Sequence, residues 1–314
     1  MNGQLSSMIL AGLLLASTAC ATARGAQSGA PTATSASEQA SQMGGIDWKA
    51  VEAAMGRSGS MQDGGVFKFS MPRSDLSVTS QGVRIQPALS LGSWIAFKPR
   101  GENDAVVMGD LVLTEEEYNR VIARLQEGEI GQTAIHKHLL DEEPALWWTH
   151  VHAHGDPVAI ARTVRAALAL TGTPVQDPGA SVSGEIGIDT AQIRQLLGHG
   201  GKVNGGVYQV SVPRPETIRA MGIEVPPAMG TATAINFQPT GGGRAAINGD
   251  FVMRANEVNP VIRALKENGI EVVALHNHLL DEEPRLFFMH FWANDDAVKL
   301  ARGLRAGLDA LGRR

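Results

Sequence analysis

The block His136-Lys137-His138-Leu139-Leu140-Asp141-Glu142-Glu143-Pro144-Ala145-Leu146 recurs 140 positions later as His276-Asn277-His278-Leu279-Leu280-Asp281-Glu282-Glu283-Pro284-Arg285-Leu286. Each copy is followed by one more histidine, His150 and His290. The match extends upstream: Gly64-Gly65-Val66 answers Gly205-Gly206-Val207, Pro72-Arg73 answers Pro213-Arg214, and Gly109-Asp110 answers Gly249-Asp250. A unit of about 125 residues is the size of a domain, and two copies are too few for a solenoid or propeller. The chain should therefore fold as two similar domains, 45–172 and 188–312, joined by a linker at 173–187. Such a pair is the covalent counterpart of a homodimer.

Residues 1–20 read as an export signal. The apolar run from Met8 to Ala19 is too short to span a bilayer and ends in small residues before Cys20. Ser17-Thr18-Ala19-Cys20 resembles a bacterial lipobox, with Ser17 where leucine is usual and no Lys or Arg in Met1 to Ser7. Cys20 is the chain's one cysteine, which excludes an intrachain disulfide and a thiolate metal cluster. The expectation is an extracytoplasmic protein, in the periplasm or on the cell surface, held to the membrane by lipid on Cys20. Residues 21–44, rich in Ala, Ser, Thr and Gly with no apolar period, form its tether. With a net charge of -5 and a pI near 6.0, the chain has no basic field for nucleic acid.

Each copy reads as helix, several strands, helix, hairpin, helix, an α+β domain with an antiparallel sheet and helices packed on one face. Thr114 with Glu117 forms a capping box ahead of the stripe Tyr118, Val121, Ile122 and Leu125. Asp156-Pro157 opens the closing helix, whose stripe Ile160, Val164 and Leu168 is matched by Leu300, Leu304 and Leu308.

The hairpin between these helices carries the cassette. Alternation puts Val273, Leu275, Leu279, Phe287, Met289 and Phe291 on a core face, and His276, His278, Phe288, His290 and Trp292 on the other. A turn centred on Glu283 sets His290 opposite His276 and diagonal to His278, and a turn on Glu143 sets His150 opposite His136. Neighbours ~6.6 Å apart along a strand and ~5 Å across it let three imidazoles converge on one ion. The metal candidates are thus His136, His138 and His150 in one copy and His276, His278 and His290 in the other. The ion expected is divalent, zinc first, with an open position for water or substrate. His152 and His154 extend the first face, but Trp292 and Asn294 replace them, so they are not counted as ligands.

Asp110 and Asp250 are candidates to support the ligands or touch substrate. Glu143 and Glu283 could donate a ligand or act as a base, or simply make a solvated turn. Arg73 and Arg214 could pair with an anionic ligand or with the chain's own acids. The second copy is the favoured metal site, because Phe288 and Trp292 flank His290 and would shield it.

The run from Val212-Pro213-Arg214 through Gly249-Asp250-Phe251 to His276-Asn277-His278 and His290-Phe291-Trp292-Ala293 resembles the LppY/LpqO family of bacterial lipoproteins, over both copies. That resemblance implies a lipoprotein and no particular reaction. The spacing of each trio is also similar to acetolactate decarboxylase and the plant and prokaryote conserved domain. Thr149 and Met289, preceded by aromatics, stand where those families have Gly-Gly, so the likeness implies a metal site and not the reaction.

Three functions fit these residues. The first is a metal-dependent enzyme on a small oxygenated substrate. The second is a non-catalytic envelope protein that binds metal or ligand. The third is a metal-free duplication in which the two histidine faces pack against each other.

Overall fold

In the computed structural model, which describes residues 45–175 and 186–312, one chain path is traced twice within a single unit. The export segment with Cys20, the tether and the middle of the linker lie outside the described residues.

The first copy begins with α1 (Trp48–Met55), β1 (Ser60–Gln62) and β2 (Val66–Pro72). The short β3 (Thr79–Ser80), β4 (Val83–Arg84) and α2 (Pro87–Ser90) lead to the long β5 (Gly92–Gly101) and β6 (Asp104–Thr114). Then come α3 (Glu115–Glu127), β7 (Gly131–His136), β8 (Glu142–Glu143), β9 (Leu146–Gly155) and α4 (Pro157–Leu168). The second copy starts with α5 (Thr190–Leu197), β10 (Gly201–Asn204), β11 (Val207–Pro213), β12 (Arg219–Ala220) and β13 (Ile223–Glu224). It ends with β14 (Ala232–Gly241), β15 (Arg244–Met253), α6 (Val258–Glu267), β16 (Glu271–His276), β17 (Phe287–Asp296) and α7 (Ala297–Ala310).

The two six-stranded sheets have the same order, β1-β2-β5-β6-β9-β7 and β10-β11-β14-β15-β17-β16, with every neighbour antiparallel. Local chemistry starts the helices where expected. Thr114 and Glu117 close a reciprocal capping box on α3, and the Asp156 carboxylate caps α4 at Val158 N and Ala159 N.

Strand alternation divides β2 between two faces. Phe67, Phe69 and Met71 join Val121, Ile160 and Val164 in a core under the helices. The second domain buries Tyr208, Val210 and Phe237 beneath Leu300, Leu304 and Leu308 in the same way. The opposite faces of the two sheets pack on each other. Val66, Ala96 and Met108 meet Val225, Met229 and Phe288, while Leu89, Val112 and Trp148 meet Val207, Ala246 and Trp292. The histidine faces are therefore the domain interface.

Two expectations about the hairpin need correction. β16 pairs Ala274 with His290 and His276 with Phe288, and β7 pairs Ala134 with His150 and His136 with Trp148. The register is two residues away from a turn on Glu283 or Glu143, which leaves every histidine on its expected face but moves His290 diagonal to His276. A bulge between Val272 and Ala274 then breaks the alternation. Val272 packs in the helix-covered core, Val273 joins the interface cluster, and Leu275 is 50% exposed. Leu279 is buried in the interface and not under the helices.

Candidate metal centre

Gly109 and Gly249 precede the two aspartates because their strands approach their neighbours too closely for a side chain. A Cβ on Gly249 would drive into the Ala234 carbonyl oxygen, and one on Gly109 into Ile95 and the Trp94 carbonyl. Asp110 is level with Trp94 and His150 across the first sheet, and Asp250 with Ala234 and His290 across the second. His136 and His276 end their strands, and His138 and His278 lie in the loops just beyond.

Sheet packing interleaves the six rings. His136 stacks on His276 at 3.7 Å between centroids, His138 lies 3.7 Å from His290, and His150 lies 4.0 Å from His278. Aromatic partners hold the loop histidines, Trp148 against His138 at 4.6 Å and Phe288 against His278 at 3.6 Å. The loops are also tied across the interface. Thr133 Oγ1 donates to the His278 carbonyl at 2.7 Å, and Asn248 Nδ2 donates to the His138 carbonyl at 2.6 Å.

Among the described residues four groups have candidate ligand atoms within 4.8 Å of one another: Asp110/His138/His150, Asp250/His276/His278, His136/His150/His276 and His136/His138/His290. The first two share no residue and each lies within one domain; the other two draw on both. Neither three-histidine set expected from a single copy is among them. Asp110 and Asp250 stand at ligand distance themselves, Asp250 Oδ2 being 3.0 Å from His278 Nε2 and Asp110 Oδ2 3.4 Å from His138 Nε2.

The remaining candidates lie elsewhere. Arg73 is fully buried and pairs with Glu117 at 2.7 Å and Asp75 at 2.9 Å, and Arg214 pairs with Glu257 at 2.7 Å and Glu216 at 2.8 Å. Both arginines are committed to the chain's own acids. Glu143 is exposed and pairs with Thr79 on β3, while Glu283 is exposed and bridges to Arg219. The turn carboxylate that is buried is Glu282, which accepts from Leu286 N at 2.8 Å. His152 and His154 join none of the four groups. The shelter expected to favour the second copy does not separate the two, since His150 is 3% exposed and His290 4%.

A divalent ion fits this donor set. Asp110 Oδ1, His136 Nδ1, His138 Nε2, His150 Nε2, Asp250 Oδ1 and His276 Nε2 are buried and make no hydrogen bond. Buried polar atoms without partners are costly, and metal ions held by these groups would satisfy the histidine and aspartate atoms that face them. The Nδ1 atoms of His278 and His290 meet the carbonyls of Gly230 at 2.9 Å and Gly249 at 2.7 Å, which leaves each Nε2 as the ligand atom. His290 Nε2 stands 3.2 Å from His136 Nε2.

Burial pushes His136, His138, His150 and His278 below their ordinary 6.5, and brings His290 down to about 3. Neutral imidazoles keep the lone pair a metal needs. Burial, then the neighbouring Asp250 carboxylate, raises Asp110 well above its ordinary range. For Asp250 burial acts in the same direction, but His290 and His276 outweigh it and hold the group low. A divalent cation between the two carboxylates would let both ionise.

A cavity of about 800 Å³ reaches the cluster from the outer strands, touching Asp110, Asp250, His138, His150, His278 and His290. Lys68 and Trp94 line it too, with the ammonium 4.0 Å above the indole. Burial lowers Lys68 to about 8, against the pull of Asp110. Sequence reasoning passed over both residues, and over Thr133 and Asn248. The available signal was parity: Lys68 and Ser70 interrupt an apolar strand on alternate positions, as Gln209 and Ser211 do in the second copy.

Likeness to solved structures is remote. The trimeric bacterial microcompartment shell protein PduB shares 11% identity over 80% of this chain and 89% of its own, at a TM-score of 0.21. The double ringed trimeric shell protein MSM0271 from the RMM microcompartment shares 11% over 82% and 96%, at 0.20. EtuB from Clostridium kluyveri shares 9% over 81% and 91%, at 0.19. These values carry no argument about structure or role. No curated protein matches the chain. One family model fits residues 49–170 and again residues 191–310, and by that double match the chain belongs to the family described as Domain of Unknown Function (DUF1259).

Proposed function

We propose that this is an exported envelope lipoprotein of the LppY/LpqO kind whose two domains jointly hold divalent metal, zinc first, between their sheets. The observation that carries the reading is the set of buried, unpartnered histidine and aspartate atoms at the head of a cavity. Asp110, His138 and His150 would hold one ion and Asp250, His276 and His278 another, with His136 and His290 between them. A metal bound there would polarise a carbonyl or carboxylate of a small oxygenated substrate, or activate water. The domain interface buries most of the ligand atoms, and the cavity beside them has room for a small molecule.

Elemental analysis of the purified mature protein tests this directly. Zinc should be present, and His276→Ala/His278→Ala should lower the count by at least one ion. A metal-free protein after growth with zinc would leave only the packing role for the histidine faces. A count unchanged by that variant but abolished by His136→Ala/His138→Ala would assign the metal to the first half. The anchor has its own test: Cys20→Ala should release a folded protein from the membrane fraction, and unchanged retention would remove lipid attachment from the proposal.

A further inference from the structure

The duplication is kept at the metal ligands and broken along the cavity wall. Strand register places Lys68, Ala96 and Met108 in one row of the first sheet, and Gln209, Asn236 and Asn248 in the matching row of the second. In the next row Trp94 answers Ala234, while Ser70 and Asp110 answer Ser211 and Asp250.

Lys68 and Gln209 do the same structural job. Lys68 Nζ donates to the Ala228 carbonyl at 3.1 Å, and Gln209 Nε2 donates to the Ala88 carbonyl at 2.8 Å. Ala88 and Ala228 are themselves 140 positions apart, so each side chain ties its strand to the equivalent short helical turn of the other domain. A neutral amide suffices for that tie in one copy. The positive charge of Lys68 is therefore surplus to it, as are the remaining donors of an ammonium that can make three bonds. Among the described residues no carboxylate stands in ion-pair contact with Lys68, although Asp110 is near enough to be felt, and the ammonium also lies over the Trp94 ring. Lys202 of the second domain lines the same cavity and adds a second positive charge.

The same cavity is lined by Asp110, Asp250 and the histidine cluster. Among the described residues no arginine lines the space, and serine hydroxyls and carboxamides line it with Lys68. That chemistry suits a carboxylate and hydroxyl groups better than a phosphate, for which arginine forks are the usual partner.

The geometry points to a short dicarboxylate, or a hydroxy or oxo acid, as the ligand of this cavity, with one carboxylate held by Lys68 and the second oxygen function turned toward the histidine and aspartate cluster. The second contact rests on the metal-centre reading; the Lys68 contact stands without it. Because the neutral Gln209 and the small Ala234 stand where the first copy has Lys68 and Trp94, the cavity accepts such a ligand in one orientation despite the pseudo-symmetric centre.

The test is calorimetric titration of the zinc-loaded full chain with malonate and succinate, with succinamide as the uncharged control. Lys68→Gln reproduces the tie made by Gln209, so it should fold and keep its zinc, which melting and elemental analysis verify. It should weaken binding of the diacids about tenfold or more, while Lys68→Arg retains most of it. Equal binding by wild type and Lys68→Gln, succinamide bound as well as succinate, or no binding of either diacid at millimolar concentration each overturns the inference. The two readings fail separately. Zinc bound without Lys68-dependent diacid binding leaves the metal centre and removes this ligand, whereas Lys68-dependent binding in a chain that takes up no zinc upholds the anchor and removes the metal centre.

Discussion

Each domain buries two polar constellations, and their difference is instructive. Around Arg73 every strong group finds a partner: the guanidinium donates to Asp75, Glu117 and the Val112 carbonyl, and Glu117 also accepts from Thr114 N and Gly172 N. Arg214 repeats this with Glu216, Glu257 and the Val252 carbonyl. The histidine cluster, equally duplicated and equally buried, leaves ring nitrogens and carboxylate oxygens without hydrogen bonds. Both sets recur in both copies, so recurrence does not tell them apart. What does is whether hydrogen-bonding capacity is met inside the chain. A satisfied network holds a helix to its sheet, whereas an unsatisfied one beside a cavity is what the proposed metal would complete.

The contrast breaks first under substitution. Arg73→Met strands Glu117 in the interior and should destabilise the protein by ~3–5 kcal/mol in denaturant unfolding, without directly removing a metal ligand. His276→Ala/His278→Ala should cost the metal-free protein much less and abolish binding at that group of ligands. If the histidine pair proved the more destabilising of the two in metal-free protein, the assignment of structural and functional roles would be reversed.

Gly249→Ala probes the scaffold beneath the cluster. Its new methyl meets the Ala234 carbonyl, and the Gly249 carbonyl orients His290. A loss of ~1–3 kcal/mol is expected from overpacking, together with weaker zinc affinity. Unchanged affinity in a destabilised variant would separate the strand contact from the ligand it supports.

Acid separates the two networks by pH. His290 is held from 6.5 down to about 3 by burial, so between those values the unfolded chain binds protons that the folded chain refuses. Stability of the metal-free protein should therefore be independent of this group above 6.5 and fall as pH drops below it. The slope should reach ~1.4 kcal/mol per pH unit for each histidine so held. Glu117 is depressed below its ordinary 4.5, where burial is outweighed by Arg73, so its contribution is present above 4.5 and lost only as pH falls through its lower folded value. A metal-free protein with flat stability from pH 7 to 5 would show that the histidines are solvated.

The smallest expected effect is at the seam. Thr133→Val removes one hydrogen bond to the His278 carbonyl and should cost ~1 kcal/mol. A modest loss of zinc affinity should accompany it, and unaltered affinity would show that Phe288, the Gly230 carbonyl and the Asn277 bond to the Thr133 carbonyl suffice to set the loop.

The chain's own sequence determined the duplication, the α+β class, the helix starts at Thr114 and Asp156, and the face on which all six histidines lie. These follow from local chemistry and from a side-chain period of two, which an error of two residues in register leaves intact. That is why the turn could be misplaced while the histidines stayed on the correct face. The bulge after Val272 was illegible, because a single unpaired residue alters no apolar pattern before it flips one. The grouping of the candidate ligands was decided only by tertiary structure. Two sheets had to be laid face to face before His136 could meet His276, before Asp110 and Asp250 could approach one another, and before the charge of Lys68 could be set against the neutral Gln209. Those contacts join residues far apart in sequence and in different copies, and they follow from the packing of one apolar face on another rather than from any spacing along the chain.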